Sequence, residues 1–408
     1  MNPYPYRINR SIPATQAVIT AGLLAGLAFN AHADVVTDWN LKANEIVVES
    51  KLGTPPAIRV LALVQTAVND AVRSSALQPG TQPASVDAAV AAANRAVLVK
   101  VLPNQQTMID TAYQAALAAI PEGGPKAAGL ATGERAAAAV FAKRTGDVIA
   151  PESYRPHTTP GAYVPTAAAA APQWSQRTPW LMTSPAQVRP GAPPALASVA
   201  WSRDYNEVKE LGAKGSTKRS AEQTEIARFW EYSLPPIYYG VVRSVATQPD
   251  RDLARNARMY AAIAQAMDDA MIAVFDSKYH YNFWRPSTAI RNGDIDGNDA
   301  TARDASWTPL IDAPMHPEYA SGHAILAGAV GAVLKADVGI SRMPVLMTTS
   351  PTAKGATRRW TNVDDFVREV SDARIYAGIH YRTAVDVGAA MGQSIGELAA
   401  SRVLIAVD

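Results

Sequence analysis

Three short stretches between residues 278 and 380 hold the side chains best able to do chemistry. In KYHYNFWRPSTAIR, Lys278 is followed six residues later by the pair Arg285-Pro286. In PEYASGH, Ser321, Gly322 and His323 stand where an apolar helical pattern begins. In ARIYAGIH, Arg374 and His380 flank Gly378. The lysine and the two arginines supply fixed positive charge, and guanidinium forks match tetrahedral oxyanions in bidentate fashion. A serine hydroxyl and a bare glycine amide in the first turn of a helix face an anion at the positive end of the dipole. Glycine leaves room there for close backbone approach. His323 beside such a cluster adds a group that can move a proton, which pure binding does not need. Each piece alone is commonly structural. Together they point to one oxyanion.

The elements that must position them read as helices. Ala-rich segments at 57–73, 86–101, 107–120 and 126–143 carry apolar residues at helical spacing, and β-branched alternation is almost absent. Residues 151–195 break the pattern with ten prolines. Proline cannot continue a helix, so this is an extended loop. Its Tyr163, Trp174, Trp180, Leu181 and Met182 predict a loop packed across the surface rather than a plain linker. Helices resume at 220–232, behind a Ser-Ala-Glu-Gln start, and at 250–278. The stripe Tyr260, Ile263, Met267, Met271, Val274 continues into Lys278, which puts an ammonium on a buried face. Further helices are predicted at 321–336, 365–378 and 384–405. Gly378 is expected to end one of them and turn His380 back toward the cluster. The loop NGDIDGN (292–298) imitates the start of a calcium loop, but its twelfth position is Arg303, so it reads as a turn.

The N-terminus carries a different message. Arg7 and Arg10 precede an apolar run over 17–29, and Ala31-His32-Ala33 follows. The run is shorter than the ~20 residues a span needs. It is expected to be a secretory signal cut after Ala33, which places the mature chain in the periplasm or outside the cell. Without residues 1–33, basic and acidic side chains are equal in number, against +2 for the whole chain. A neutral chain argues against nucleic acid as a partner. No other apolar run reaches membrane-spanning length, and the absence of cysteine excludes disulfides and thiolate metal sites. The expected organisation is a signal peptide at 1–33, an N-terminal helical region at 34–150, a packed Pro-rich loop at 151–195, and a helical oxyanion-binding core at 196–408. Ala-rich helical faces permit a homodimer.

The order and spacing Lys-x6-Arg-Pro, Ser-Gly-His, Arg-x5-His resembles the signature of vanadium-dependent haloperoxidases and type 2 phosphatidic acid phosphatases. FDSKYHYNFWRPSTAIRNGDIDGN, HPEYASGH and ARIYAGIHYRTAVDVGAAMG look like bacterial members of the haloperoxidase branch, as do PWLMTSPAQVRPGAPPAL, SAEQTEIARFW and AIRVLALVQTAVNDAV. The resemblance covers nearly the whole chain after residue 33. It implies an all-α helical-bundle fold and a site for vanadate, which phosphate can also occupy. On this resemblance Lys278, Arg285 and Arg374 bind the equatorial oxygens, and Ser321 and the Gly322 amide add hydrogen bonds. His380 is the axial vanadium ligand, or the nucleophile in a phosphatase. His323 is the acid–base residue, and His323 or Lys278 would activate bound peroxide. Vanadate on an imidazole has the shape of a phosphoryl-transfer transition state, so one site suits both activities.

The sequence departs from that pattern in two places. Ala320 stands where a proline usually precedes Ser-Gly-His. Ala384 stands where phosphatase-type members carry an aspartate that orients the nucleophilic histidine, and Asp386, six residues beyond His380, lies about 120° from it on an ideal helix. The second ring nitrogen of His380 then needs another partner, for which a backbone carbonyl is one candidate. This tilts the reading away from a phosphatase. His316, seven residues before His323, matches a histidine often found in bromide- or iodide-oxidising members. Phe275 and Trp284 are expected to line the pocket, although core packing explains aromatics equally well. Three functions compete: a peroxide- and halide-using haloperoxidase, an exported acid phosphatase acting on phosphomonoesters, and an oxyanion-binding protein without turnover.

Overall fold

Thirteen α-helices form among the described residues. In the computed structural model these are 34–76, 83–147 and 153–404. The predicted signal segment, 1–33, lies outside them. In chain order the helices are α1 (Val35–Glu49), α2 (Thr54–Ala76), α3 (Val86–Val101), α4 (Gln106–Ala118) and α5 (Gly124–Ala142). Beyond the Pro-rich loop come α6 (Val199–Gly212), α7 (Ala221–Phe229), α8 (Pro236–Ala246), α9 (Leu253–Tyr281) and α10 (Pro286–Arg291). The chain closes with α11 (Gly322–Val338), α12 (Val363–Tyr376) and α13 (Arg382–Ala399). A small hairpin, β1 (Leu346–Ser350) antiparallel to β2 (Ala356–Trp360), sits against α8. The described residues form one compact unit.

Helix α9 is the axis of that core. Its 29 residues extend about 44 Å. Asp252 caps its start by accepting the Arg255 N–H at 2.7 Å, and Asn282 ends it in the left-handed conformation. Tyr260, Ile263, Met267, Met271 and Val274 are all buried, and the helix is wrapped by α2, α11 and α13. Lys278 falls on the same buried face, as the stripe predicts.

The α11–α13 crossing brings two ends of the site together. A methyl group at Gly392 would run into the Ile325 carbonyl, so only glycine permits the approach. At the top of this contact the Ser321 amide donates to the Ala384 carbonyl at 3.0 Å. The start of α11 is thereby held beside the start of α13.

The Pro-rich loop is packed along α9. The two Asp269 carboxylate oxygens accept the amides of Trp180 (2.6 Å), Leu181 (2.8 Å) and Met182 (2.9 Å). Arg189 makes a bidentate pair with Asp276 at 2.7 Å. Loop 292–298 is a turn around the buried Asp296, which accepts the Trp201 indole N–H and the Thr301 hydroxyl. No metal-holding cluster of His, Cys, Asp or Glu occurs among the described residues, and none of their helices is long and apolar enough to cross a membrane.

Candidate active site

Each cationic side chain of the cluster arrives from a helix end. Lys278 is in the last turn of α9 and fully buried. Its ammonium donates to the carbonyls of Pro317 (3.0 Å), Glu318 (2.8 Å) and Ala320 (2.6 Å). Arg285 occupies the residue before α10, where Pro286 fits the first helical position. Its guanidinium donates to the carbonyls of His316 (3.0 Å), Ile379 (2.8 Å) and Pro317 (3.3 Å), and to the His316 Nδ1 at 2.9 Å. Arg374 is in the last turn of α12, buried, and donates to the Trp230 carbonyl. None of the three cations forms an ion pair with a carboxylate among the described residues. Burial lowers the pKa of Arg285 and of Arg374 to about 10 and pulls Lys278 well below its ordinary value, with Arg285 adding to the pull.

Ser321 caps α11, accepting the Ala324 N–H at 3.4 Å, which leaves its own O–H to donate. Nothing stands within 4 Å of where a Gly322 methyl would be, so the side-chain position of Gly322 is open. His323 follows one residue on. The carbonyls of Tyr232 and Trp230 bond its ring, while its Nε2 is buried without a partner. Burial, then Arg374, holds His323 well below the usual histidine range, so it rests as a neutral imidazole.

Helix α12 ends at Tyr376, and Gly378 takes a positive φ of 79° that turns the chain back. His380 is thereby buried beside Arg285, whose NH1 lies 3.3 Å from its Nε2. Two residues later α13 begins, its Thr383 amide donating to the buried Asp204 at 2.9 Å. The second ring nitrogen of His380 does not use a backbone carbonyl. Its Nδ1 lies 2.6 Å from the Glu318 carboxylate, whose same oxygen accepts the Tyr381 amide at 3.1 Å. Ala384 is buried in the apolar cluster around Trp201 and Tyr381. The carboxylate expected from a position like 384 therefore comes from another segment, and the tilt against phosphatase chemistry that Ala384 suggested loses its basis. Burial raises the Glu318 pKa to about 7 against the pull of Arg285 and Lys278.

His316 joins the cluster through Arg285 and meets the Phe275 ring edge-on at 5.3 Å. Burial, then Lys278 and Arg285, keeps its pKa low. Trp284 instead stacks on Trp201 at 5.8 Å among the core aromatics. Sequence reading gave Glu318 only a turn role and did not find the Trp230 and Tyr232 carbonyls or Asp204. An acid between two histidines, just before a helix cap, is a signal that could have flagged Glu318. The backbone carbonyls leave none.

An oxyanion fits this arrangement. The Arg374 Nε and the His323 Nε2 are buried and unpartnered, the side-chain position of Gly322 is open, and the cations lack a matching set of acids. The Arg374 donor is costly to leave unpaired and is satisfied by a tetrahedral or trigonal oxyanion, while the bare His323 Nε2 is free to take a proton from it or from a neighbouring molecule. The chemistry of the donor set, hard N–H and O–H groups around one imidazole lone pair, suits vanadate and phosphate alike.

A family model described as the VCPO second helical-bundle domain matches residues 258–408. Vanadium chloroperoxidase from Curvularia inaequalis is 32% identical over 170 residues, which cover 34% of this chain and 28% of that protein. The chain thus spans little more than a quarter of the length of that relative. In fold, the first bacterial vanadium-dependent iodoperoxidase covers 90% of this chain and 95% of its own at a TM-score of 0.77 and 23% identity. A holo-type bacterial vanadium-dependent chloroperoxidase covers 86% and 93% at 0.69 and 17%. Residues 258–408, which carry every Lys, Arg, Ser, Gly and His position of the cluster, match the VCPO second helical-bundle domain, and the described residues share the fold of bacterial vanadium-dependent haloperoxidases.

Proposed function

We propose that the chain is an exported vanadate-dependent haloperoxidase that oxidises bromide or iodide with hydrogen peroxide. One observation carries the reading: three buried cations, the capped start of α11 and an unpartnered imidazole nitrogen meet in one buried cluster. Lys278, Arg285, Arg374, Ser321 and the Gly322 amide would hold the oxygens of vanadate, and His380 would bind it through the ring nitrogen Nε2. When bound, vanadate supplies a Lewis acid that activates peroxide toward halide. Overall, H2O2, a halide ion and a proton give hypohalous acid and water, so the site must manage protons. The neutral His323 can accept a peroxide proton at Nε2 and return it to the departing oxygen. Lys278 and the arginines stabilise negative charge in a water-poor site, where such stabilisation is strong. His316 against Phe275 and Arg285 supports the choice of bromide or iodide, and the iodoperoxidase fold likeness agrees with it.

A second reading has an observation of its own. A histidine oriented by Glu318 could attack phosphorus at Nε2, so phosphomonoester hydrolysis by the vanadate-free protein is the competing activity. The deciding experiment loads the purified protein with orthovanadate and follows bromination or iodination of an organic acceptor with peroxide. The vanadate-free form is assayed against p-nitrophenyl phosphate. Halogenation is expected to need vanadate and to vanish in His380→Ala. Phosphatase activity alone would replace the first reading with the second, and turnover by His380→Ala would end both. Export is tested by the N-terminus of the protein recovered outside the cytoplasm, expected at Asp34.

A further inference from the structure

We propose that Glu318 is the positioning residue of His380: its carboxylate fixes the ring in one tautomer, with Nδ1 protonated and the Nε2 lone pair presented to the cationic cleft. The inference rests on reading the cleft as an oxyanion site, but its first measurement does not.

Two contacts from opposite sides demand the same tautomer. The Glu318 Oε1 already accepts the Tyr381 amide, and an amide N–H can only donate, so this oxygen is an acceptor. The His380 Nδ1 facing it at 2.6 Å must carry the hydrogen. On the far side the Arg285 NH1 lies 3.3 Å from Nε2, and a guanidinium also only donates. Nε2 is therefore bare. A bare nitrogen pointed among cations is what a metal ligand or a nucleophile requires.

Glu318 has no freedom to do otherwise. Its amide donates to the Phe283 carbonyl at 2.9 Å, its carbonyl accepts Lys278, and its side chain is fully buried. The neighbouring carbonyls of His316, Pro317 and Ala320 hold Lys278 and Arg285. One six-residue segment, 316–321, thus sets both cations, the ring of His380 and the cap of α11. Only the carboxylate of Glu318 reaches the histidine.

The carboxylate does two separable things: it accepts the Nδ1 proton and it offsets one positive charge. Gln at 318 keeps the acceptor, with its amide N–H directed to where the unpartnered Oε2 stands. Alanine removes both. Histidine-labelled 15N NMR of the free protein should show Nδ1–H for His380 in the wild type and in Glu318→Gln, and a mixture of tautomers in Glu318→Ala. By calorimetry, orthovanadate, which bonds to Nε2, should bind Glu318→Ala about 10- to 100-fold more weakly. Orthophosphate, which the donors alone hold, should bind it as well as the wild type or better. Glu318→Gln should recover most of the vanadate affinity. Equal losses for both anions would indicate general collapse of the cleft and overturn the proposal, as would an unchanged tautomer in Glu318→Ala. If alanine prevents folding, Glu318→Met, of similar volume, enters the same comparison. A wild type that binds neither anion would remove the oxyanion reading, while the NMR result would still decide the role of Glu318.

Discussion

Helix α9 carries two buried charge clusters, about 15 Å apart along its axis, and they are built on opposite rules. At Asp268 and Asp269 the acids meet their match. Arg59 pairs with Asp268 at 2.5 Å and with Asp147, the Trp180 indole N–H donates to Asp268 at 2.6 Å, and Arg144 lies over the Trp180 ring at 3.6 Å. At Lys278 the cations outnumber the acids, and Lys278, Arg285 and Arg374 form no ion pair with a carboxylate among the described residues. Burying charge is costly unless it is compensated. The first cluster is compensated within the chain and serves to fasten the Pro-rich loop. On the proposed function, the second is compensated when an anion arrives. The lesson is that the balance of a buried cluster, rather than its burial, separates an anchor from a receptor.

The contrast can be broken by substitutions that should act in opposite ways. Asp268→Asn leaves Arg59 short of a buried partner and should lower unfolding stability by about 3–5 kcal/mol, read by urea denaturation. The folded fraction should bind orthovanadate with wild-type affinity. A parallel loss of anion binding would mean that the two clusters are one network. Arg374→Met should do the reverse, weakening anion affinity about 100-fold, roughly 2.7 kcal/mol, with unfolding stability changed little. If it unfolds the protein as Asp268→Asn does, the cleft is an anchor as well.

Acidity sharpens the same contrast. Burial raises the Asp269 pKa to about 6, against the pull of three backbone amides. Between about pH 4 and 6 the folded state therefore holds more protons than the unfolded chain, and stability should fall as pH rises through that window. The expected contribution is on the order of 2 kcal/mol, and it should disappear from the pH profile of Asp269→Asn. The smallest effect is a ligand one. Orthophosphate at ten times its Kd should add about 1.4 kcal/mol to wild-type stability, and almost nothing to Arg374→Met at the same concentration.

Much of this was legible before any coordinates. The long periodic helices were, because a buried stripe repeats in sequence: α3 spans the predicted 86–101, and α9, predicted over 250–278, is shifted by only three residues. α1, α6, α8 and α10 were not assigned, and neither was the hairpin of β1 and β2. α8 is rich in Val, Tyr and Ile behind two prolines, so local preference pulls away from helix, and tertiary packing decides. In the site, the side-chain types and their spacing named the cations, Ser321, Gly322 and the histidines. The partner of His380 was missed because Glu318 is 62 residues away in sequence, and a contact of that range leaves no local pattern. Ala384 was a true absence, but it located only where a carboxylate was missing and not where one was supplied.

The segment 316–321 has one more consequence. It holds Lys278 and Arg285 by peptide dipoles rather than by carboxylates. Dipoles do not take up protons. Acid that would release a carboxylate-bound cation leaves these two where they are, and dissolved salt reaches buried contacts poorly. The backbone thus keeps these two side chains in place until the segment itself unfolds, whatever the protonation of Glu318 nearby.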